Sequence, residues 1–197
     1  MADYAIVTGG SQGIGLAICR RLKRDGLVPV IFDRVAPEDS GLGEFHAVDL
    51  SDIGETRAAL DWALALGPVS RLVNNVGVVM PALLEDTSLE DFDTLMALNV
   101  RCAIQCTQAV APGMRERQIG RIVNIASMLG LSGGVFPNAA YQSSKGAVVN
   151  LTRTLAVEWA PHGITVNAVG PALIRTDLTA NIQPEFVAAL DAITPLG

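Results

Sequence analysis

Basic charge, histidine and cysteine are all in short supply in this 197-residue chain. It carries 14 Lys and Arg against 20 Asp and Glu, a net charge of −6. It has no basic run of the kind that tracks phosphates, so a nucleic-acid or anionic-membrane surface is excluded as its main partner. The two histidines, His46 and His162, stand far apart and give a histidine-rich zinc site or a Ser-His-Asp hydrolase little to work with. The three cysteines, Cys19, Cys102 and Cys106, make an odd count without a framework, which suits a reducing compartment. Cys102 and Cys106 share a helical face and read as small apolar packing rather than as a metal pair. Apolar runs are broken by Gly, Pro or charge well short of a membrane span. The opening MADYAIVTGG carries an acid early and reaches glycine by position 9, so no signal peptide is visible. The expectation is a cytoplasmic globular protein with no metal, no membrane and no nucleic acid.

What the chain has in quantity is apolar side chains. Half of the residues are hydrophobic and only 17% are charged, enough for a sizeable core in one domain over 1–197. Short β-branched runs alternate with helical periodicity. YAIVT (4–8), LVPVIFD (27–33), EFHAV (44–48), SRLVNN (70–75), GRIVNIAS (120–127) and GITVNAV (163–169) read as strands. The intervening stretches at about 14–25, 53–66, from Ser88 towards Leu98 and onward, and 139–159 read as helices, with Ser88 and Asp91 spaced as an N-cap and its acidic partner. That alternation predicts βαβ units and a parallel sheet covered on both faces.

Thr8-Gly9-Gly10-Ser11-Gln12-Gly13-Ile14-Gly15 lies between the first strand and the first helix. Glycines there allow positive φ, close approach of backbone to a ligand, and tight packing of helix on sheet. The helix N-terminus then offers free N–H groups to a phosphate. Asp33, 20 residues beyond Gly13 at the end of the second strand, is placed to accept from adenosine ribose hydroxyls and to repel the extra phosphate of NADP. Arg34 beside it could instead grip that phosphate. NAD is therefore expected ahead of NADP. A second feature is YQSSK, Tyr141 to Lys145, whose ends share a face of the long helix. Read alone, it is either an amphipathic pair at a core edge or an acid–base couple.

Together these stretches resemble the short-chain dehydrogenase/reductase family. TGGSQGIG is similar to its TGxxxGxG loop, NNVG (74–77) to its NNAG element, and Tyr141 with Lys145 to its YxxxK. Asn99 falls at the family's helix asparagine, Ser127 at the end of the fifth strand, and VNAVGP (166–171) on the segment that passes under the nicotinamide, followed by Ile174 and Thr176. The resemblance runs in family order from Thr8 to Thr176. It implies a Rossmann-type doubly wound α/β fold and a catalytic set of Asn99, Ser127, Tyr141 and Lys145. Tyr141 would be the general acid/base, with a free phenol pKa near ~10 brought down by the ammonium one turn away and by the nicotinamide. Ser127 would hydrogen-bond the substrate oxygen, and Asn99 would position a water that relays protons from Lys145. The implied cofactor contacts are Gly9, Ser11, Gln12, Gly13, Ile14, Gly15, Asp33, Arg34, Asn75, Gly77, Tyr141, Lys145, Pro171, Ile174 and Thr176. Asp49 and Leu50 would flank the adenine, although Asp49 also reads as an ordinary loop acid capping the next helix.

The sequence departs from the family pattern in places. Ser127 and Tyr141 are one position further apart than usual, Ala172 stands where glycine is usual, and Val76 replaces an alanine. The chain stops at ITPLG, where family members usually continue through another helix, a seventh strand and part of a subunit interface, so an unpaired sheet edge is expected. The resemblance also implies a homodimer or homotetramer built through the helix carrying Tyr141 and its predecessor. For substrate, Val78, Val79, Met80, Leu83, Leu129, Leu131, Val135 and Phe136 give apolar walls, whereas 155–179 resembles sugar-acid and polyol dehydrogenases. The leading expectation is a hydride transfer between NAD and a small-molecule secondary alcohol or ketone. The alternatives are an NADPH-dependent 3-oxoacyl-carrier-protein reductase and, in another class, a nucleotide-binding or assembly subunit without turnover.

Overall fold

A computed structural model describes residues 2–134, 136–176, 179, 182, 184–192 and 194. Six short apolar segments form the strands β1 (Tyr4–Thr8), β2 (Val28–Asp33), β3 (Glu44–Ala47), β4 (Val69–Asn74), β5 (Gly120–Ile125) and β6 (Ile164–Val169). They make one sheet of order β3-β2-β1-β4-β5-β6, parallel throughout. The order reverses between β1 and β4, and ligand crevices of doubly wound sheets form at such a reversal, outside the carboxyl ends of the strands. Parallel neighbours need crossovers, and the helices supply them: α1 (Gly13–Arg24), α2 (Ile53–Leu66), α3 (Leu89–Met96), α4 (Cys102–Arg117), α5 (Ala139–Trp159) and α6 (Pro184–Ala192).

Alternation along each strand splits the core in two. Ile6, Val30, Phe32, Leu72, Ile122 and Val166 pack with α2 and α4 through Leu60, Ala63, Val110 and Met114. Val7, Ile31 and Val73 pack with Cys19 and Leu22 of α1 on the other face. Each large aliphatic or aromatic side chain so buried contributes roughly 1.5–3 kcal/mol. Cys102 and Cys106 lie inside the first core with their sulfurs 3.9 Å apart, the apolar packing role that their spacing suggested.

Most strand and helix boundaries fall within a residue of those expected. Ser88 caps α3 as predicted, its Oγ accepting from Asp91 N–H at 3.0 Å. Three features differ. β5 ends at Ile125, so Ser127 stands beyond the strand, at the start of a 3₁₀ turn over Met128–Gly130. The helix opening at Ser88 is two helices, α3 and α4, joined by a π turn over Ala97–Arg101. The sequence pattern predicts no element after Thr176, and α6 forms there. Among the described residues β6 pairs only with β5, and no helix is long and apolar enough to cross a membrane.

Candidate active site

A cavity of about 450 Å³ opens along the carboxyl ends of the strands. One end is built by the β1–α1 loop. Gly9 (φ 65°) and Gly13 (φ 52°) take left-handed backbone. At Gly15 a Cβ would lie 2.0 Å from the Gly9 carbonyl oxygen, so helix and loop approach as closely as they do only with hydrogen there. Gln12, the N-cap of α1, makes no side-chain cap bond, and no acid occupies the first turn. The first amides of α1 are therefore free for an anion.

The loop is held from behind by β4. Asn75 Nδ2 donates to the carbonyls of Thr8 and Gly9, both at 2.9 Å, and Thr8 Oγ1 accepts the N–H groups of Asn75 and Val76 at 3.0 and 3.1 Å. Asp33 is fixed by the loop in turn: Oδ2 accepts Ser11 N–H at 3.1 Å and Oδ1 accepts Arg34 N–H at 2.8 Å. Arg34 lines the same cavity. Asp49 and Leu50 line it too, and Asp49 Oδ1 accepts the Ser51 amide at 2.8 Å and the Ser51 hydroxyl at 2.7 Å. Those bonds hold the Asp49 carboxyl below its ordinary value, with Arg34 adding to the effect against the burial. The cap of α2 is Asp52 instead, accepting Glu55 N–H at 2.8 Å.

Ser127, Tyr141, Lys145, Gly77, Pro171 and Ile174 also line the cavity, as does Thr176, which lies against Gly13 of the glycine loop. Ser127 Oγ accepts Leu129 N–H at 3.1 Å, which fixes the hydroxyl at the head of the 3₁₀ turn. Lys145 Nζ is buried, donates to the Ile125 carbonyl at 2.8 Å, and lies 5.8 Å from the centre of the Tyr141 ring. Burial pulls the ammonium from its ordinary 10.5 to about 8. The same burial raises the Tyr141 phenol above its ordinary value, with the Ser127 hydroxyl working against it. The expected depression of the phenol is thus not produced by the chain alone. Desolvation outweighs the Ser127 hydrogen bond, and the direct partner of the Lys145 ammonium is a main-chain carbonyl.

Of the site residues anticipated from sequence, sixteen positions from Gly9 to Thr176 line this one cavity and three stand behind it. Ser11 orients Asp33, Gly15 packs against Gly9, and Asn99 is buried against Val78. Sequence reasoning passed over Thr94, Leu98, Ala126 and Thr179, which also face the cavity. Of these, Leu98 and Ala126 stand beside residues singled out from sequence, Asn99 and Ser127, and apolar pattern alone places both in the core. Phe136 stacks on Phe186 of α6 at 4.8 Å, tying the loop before α5 to that helix. Val135, also expected at the substrate wall, lies outside the described residues.

Residues 3–186 match the family model for short chain dehydrogenases. The chain belongs to that family. Among its relatives, gluconate 5-dehydrogenase of Gluconobacter oxydans is 36% identical, over 98% of this chain and 80% of its own length. Cyclopentanol dehydrogenase of Comamonas testosteroni is 37% identical over 98% and 82%, and a 3-oxoacyl-[acyl-carrier-protein] reductase of Synechocystis 35% over 93% and 79%. A solved structure from Beutenbergia cavernae, named as an NAD(P)-dependent gluconate 5-dehydrogenase and holding NADP at low occupancy, superposes with a TM-score of 0.88. It is 35% identical over 98% of this chain and 82% of that one.

A short-chain dehydrogenase uses a nicotinamide dinucleotide, and the residues present fit one. The glycine cradle that a Cβ would fill, the free amides of α1 and the buried, unpartnered Ser11 hydroxyl suit a pyrophosphate. The Asp33 carboxylate, already aimed by two amides, suits ribose hydroxyls.

Proposed function

We propose that this short-chain dehydrogenase interconverts an uncharged secondary alcohol and its ketone with NAD, using Tyr141 as general acid/base. One observation carries the reading: Ser127, Tyr141 and Lys145 converge at one end of the cavity whose other end is the glycine loop and Asp33. When bound, the nicotinamide accepts or supplies the hydride. The chain does the rest. Tyr141 Oη takes the hydroxyl proton of the alcohol, or returns it to the ketone oxygen. Ser127 Oγ donates to that oxygen and stabilises the charge that develops on it. Lys145, as an ammonium at neutral pH given its value of about 8, supports the phenolate and offers donors to ribose hydroxyls.

The substrate end supports an uncharged molecule. Residues 128–138 and 170–174 contain no charged side chain, and Arg175 is exposed and absent from the cavity wall. Among the described residues lining that part of the cavity, none offers a guanidinium to a substrate carboxylate or phosphate. The same reading includes cofactor and catalytic sites in one domain, a cytoplasmic enzyme, and a homodimer or homotetramer. Arg34 on the cavity wall supports a second reading, an NADPH-dependent 3-oxoacyl-carrier-protein reductase, and the NADP held by the Beutenbergia relative agrees with the cofactor of that reading alone.

The test is turnover of purified protein with NAD⁺ and a panel of secondary alcohols, beside the Tyr141→Phe variant. The variant is expected to bind cofactor normally and lose at least about a hundredfold in kcat. Unchanged turnover in Tyr141→Phe would sink the assignment.

A further inference from the structure

Asn99 lies in the π turn between α3 and α4 and is 3% exposed. Its amide is held at every donor and at one acceptor position. Oδ1 accepts Val78 N–H at 2.8 Å, while Nδ2 donates to the Val78 carbonyl and to Ser144 Oγ, each at 3.0 Å. Ser144 is fully buried, and its own proton goes to the Tyr141 carbonyl at 2.7 Å. Towards Asn99 that hydroxyl can only accept. The amide therefore cannot turn over: a flip would set a carbonyl against an acceptor-only oxygen and an N–H against the Val78 N–H. Oδ1 faces Gly77, where a Cβ would lie 3.1 Å from Asn99 Oδ1 and 3.2 Å from Lys145 Nζ. An acceptor and the buried ammonium thus share one small space that only a glycine leaves open.

We infer that Ser144 is a positioning residue for proton transfer: it locks the Asn99 amide so that its oxygen stays turned towards Lys145. The inference rests on the reading of Tyr141 and Lys145 as the proton-transfer pair. Oδ1 and Nζ both border Gly77; an acceptor held across that space favours the ammonium, and the ammonium favours the Tyr141 phenolate. With the hydroxyl removed, the amide keeps its Val78 bonds but gains freedom to tilt, and the phenolate loses support.

The decisive experiment is a thermodynamic cycle on alcohol oxidation with Ser144→Ala, Asn99→Ala and the double variant, with pH profiles of kcat. Ser144→Ala is expected to lower kcat about tenfold, to leave the KM for NAD⁺ within about twofold, and to move the acidic limb of the profile to higher pH. In the Asn99→Ala background the same change should alter kcat less than about twofold, because residues acting as one unit are not additive. Ser144→Thr, which keeps the hydroxyl, should restore the rate to within about threefold. A wild-type rate and profile in Ser144→Ala, or an equal loss in both backgrounds, overturns the inference. Should the alanine variant fail to bind cofactor, Ser144→Cys replaces it, since a thiol is a weak acceptor of similar length. A dead Tyr141→Phe beside an unaffected Ser144→Ala rejects only the role of Ser144; an active Tyr141→Phe rejects the underlying reading.

Discussion

Replacing Lys145 with methionine should make the protein more stable while destroying its activity. The side chain is 4% exposed and its ammonium makes one hydrogen bond, to the Ile125 carbonyl at 2.8 Å. Burial holds its pKa at about 8 against an ordinary 10.5. Below pH 8 the folded and unfolded chains both carry the proton, and folding bears the full cost of burying the charge. Between pH 8 and 10.5 the unfolded chain keeps the proton and the folded chain releases it, so stability rises with pH across that window. The gap corresponds to roughly 3 kcal/mol. Methionine fills a similar volume, and leaving the Ile125 carbonyl without its donor offsets about 1 kcal/mol. The net expectation is a gain of about 2 kcal/mol at pH 7, with most of that advantage gone by about pH 9.5. Urea titration of both proteins without cofactor at the two pH values measures the difference, and the other titrating groups cancel because both chains share them. A variant less stable at pH 7, or one whose stability follows pH in parallel with the wild type, would refute the reasoning.

Asp33→Ala should change the choice of cofactor. At about 4 Å a pair of unit charges is worth about 1 kcal/mol in water and about 4 at an effective dielectric of 20, so a half-buried carboxylate facing a phosphate sits near 2 kcal/mol. Fluorescence titration with NADH and NADPH should show the ratio of their affinities moving about thirtyfold towards NADPH. A wild type that already prefers NADPH would hand the ribose site to Arg34. Gly15→Ala sets a methyl carbon 2.0 Å from the Gly9 carbonyl oxygen and 2.7 Å from Asn75 Nδ2. It should cost about 1–3 kcal/mol in urea unfolding and at least about tenfold in cofactor affinity. Wild-type values for both would contradict the close packing of loop on helix.

Much of this protein was legible without coordinates because local chemistry and global fold agree. Period-two apolar strands bounded by glycine, and helices opened by Ser88 or closed by Gly26, specify their elements with near neighbours alone. The spacing from Gly13 to Asp33 puts the loop and the acid at adjacent strand ends once β1 and β2 pair in register. The helical spacing of Tyr141 and Lys145 fixes a shared face before any tertiary contact forms. Gly15, expected from its place in the loop as a cofactor contact, stands instead behind the cavity and packs against Gly9.

What the sequence left open depends on contacts between segments distant along the chain. The π turn that carries Asn99 has no local signature, and the partners of its amide are Val78, 21 residues earlier, and Ser144, 45 later. Asn75 reads as a cofactor contact but is also the brace that holds the glycine loop from behind. The charge balance between Tyr141 and Lys145 was the hardest to foresee. A one-dimensional pattern shows that a phenol and an ammonium are neighbours, which argues for a lowered phenol. How far each is removed from water is decided only when β5 and the loop after it close over α5, and that burial acts on both groups against their charged forms.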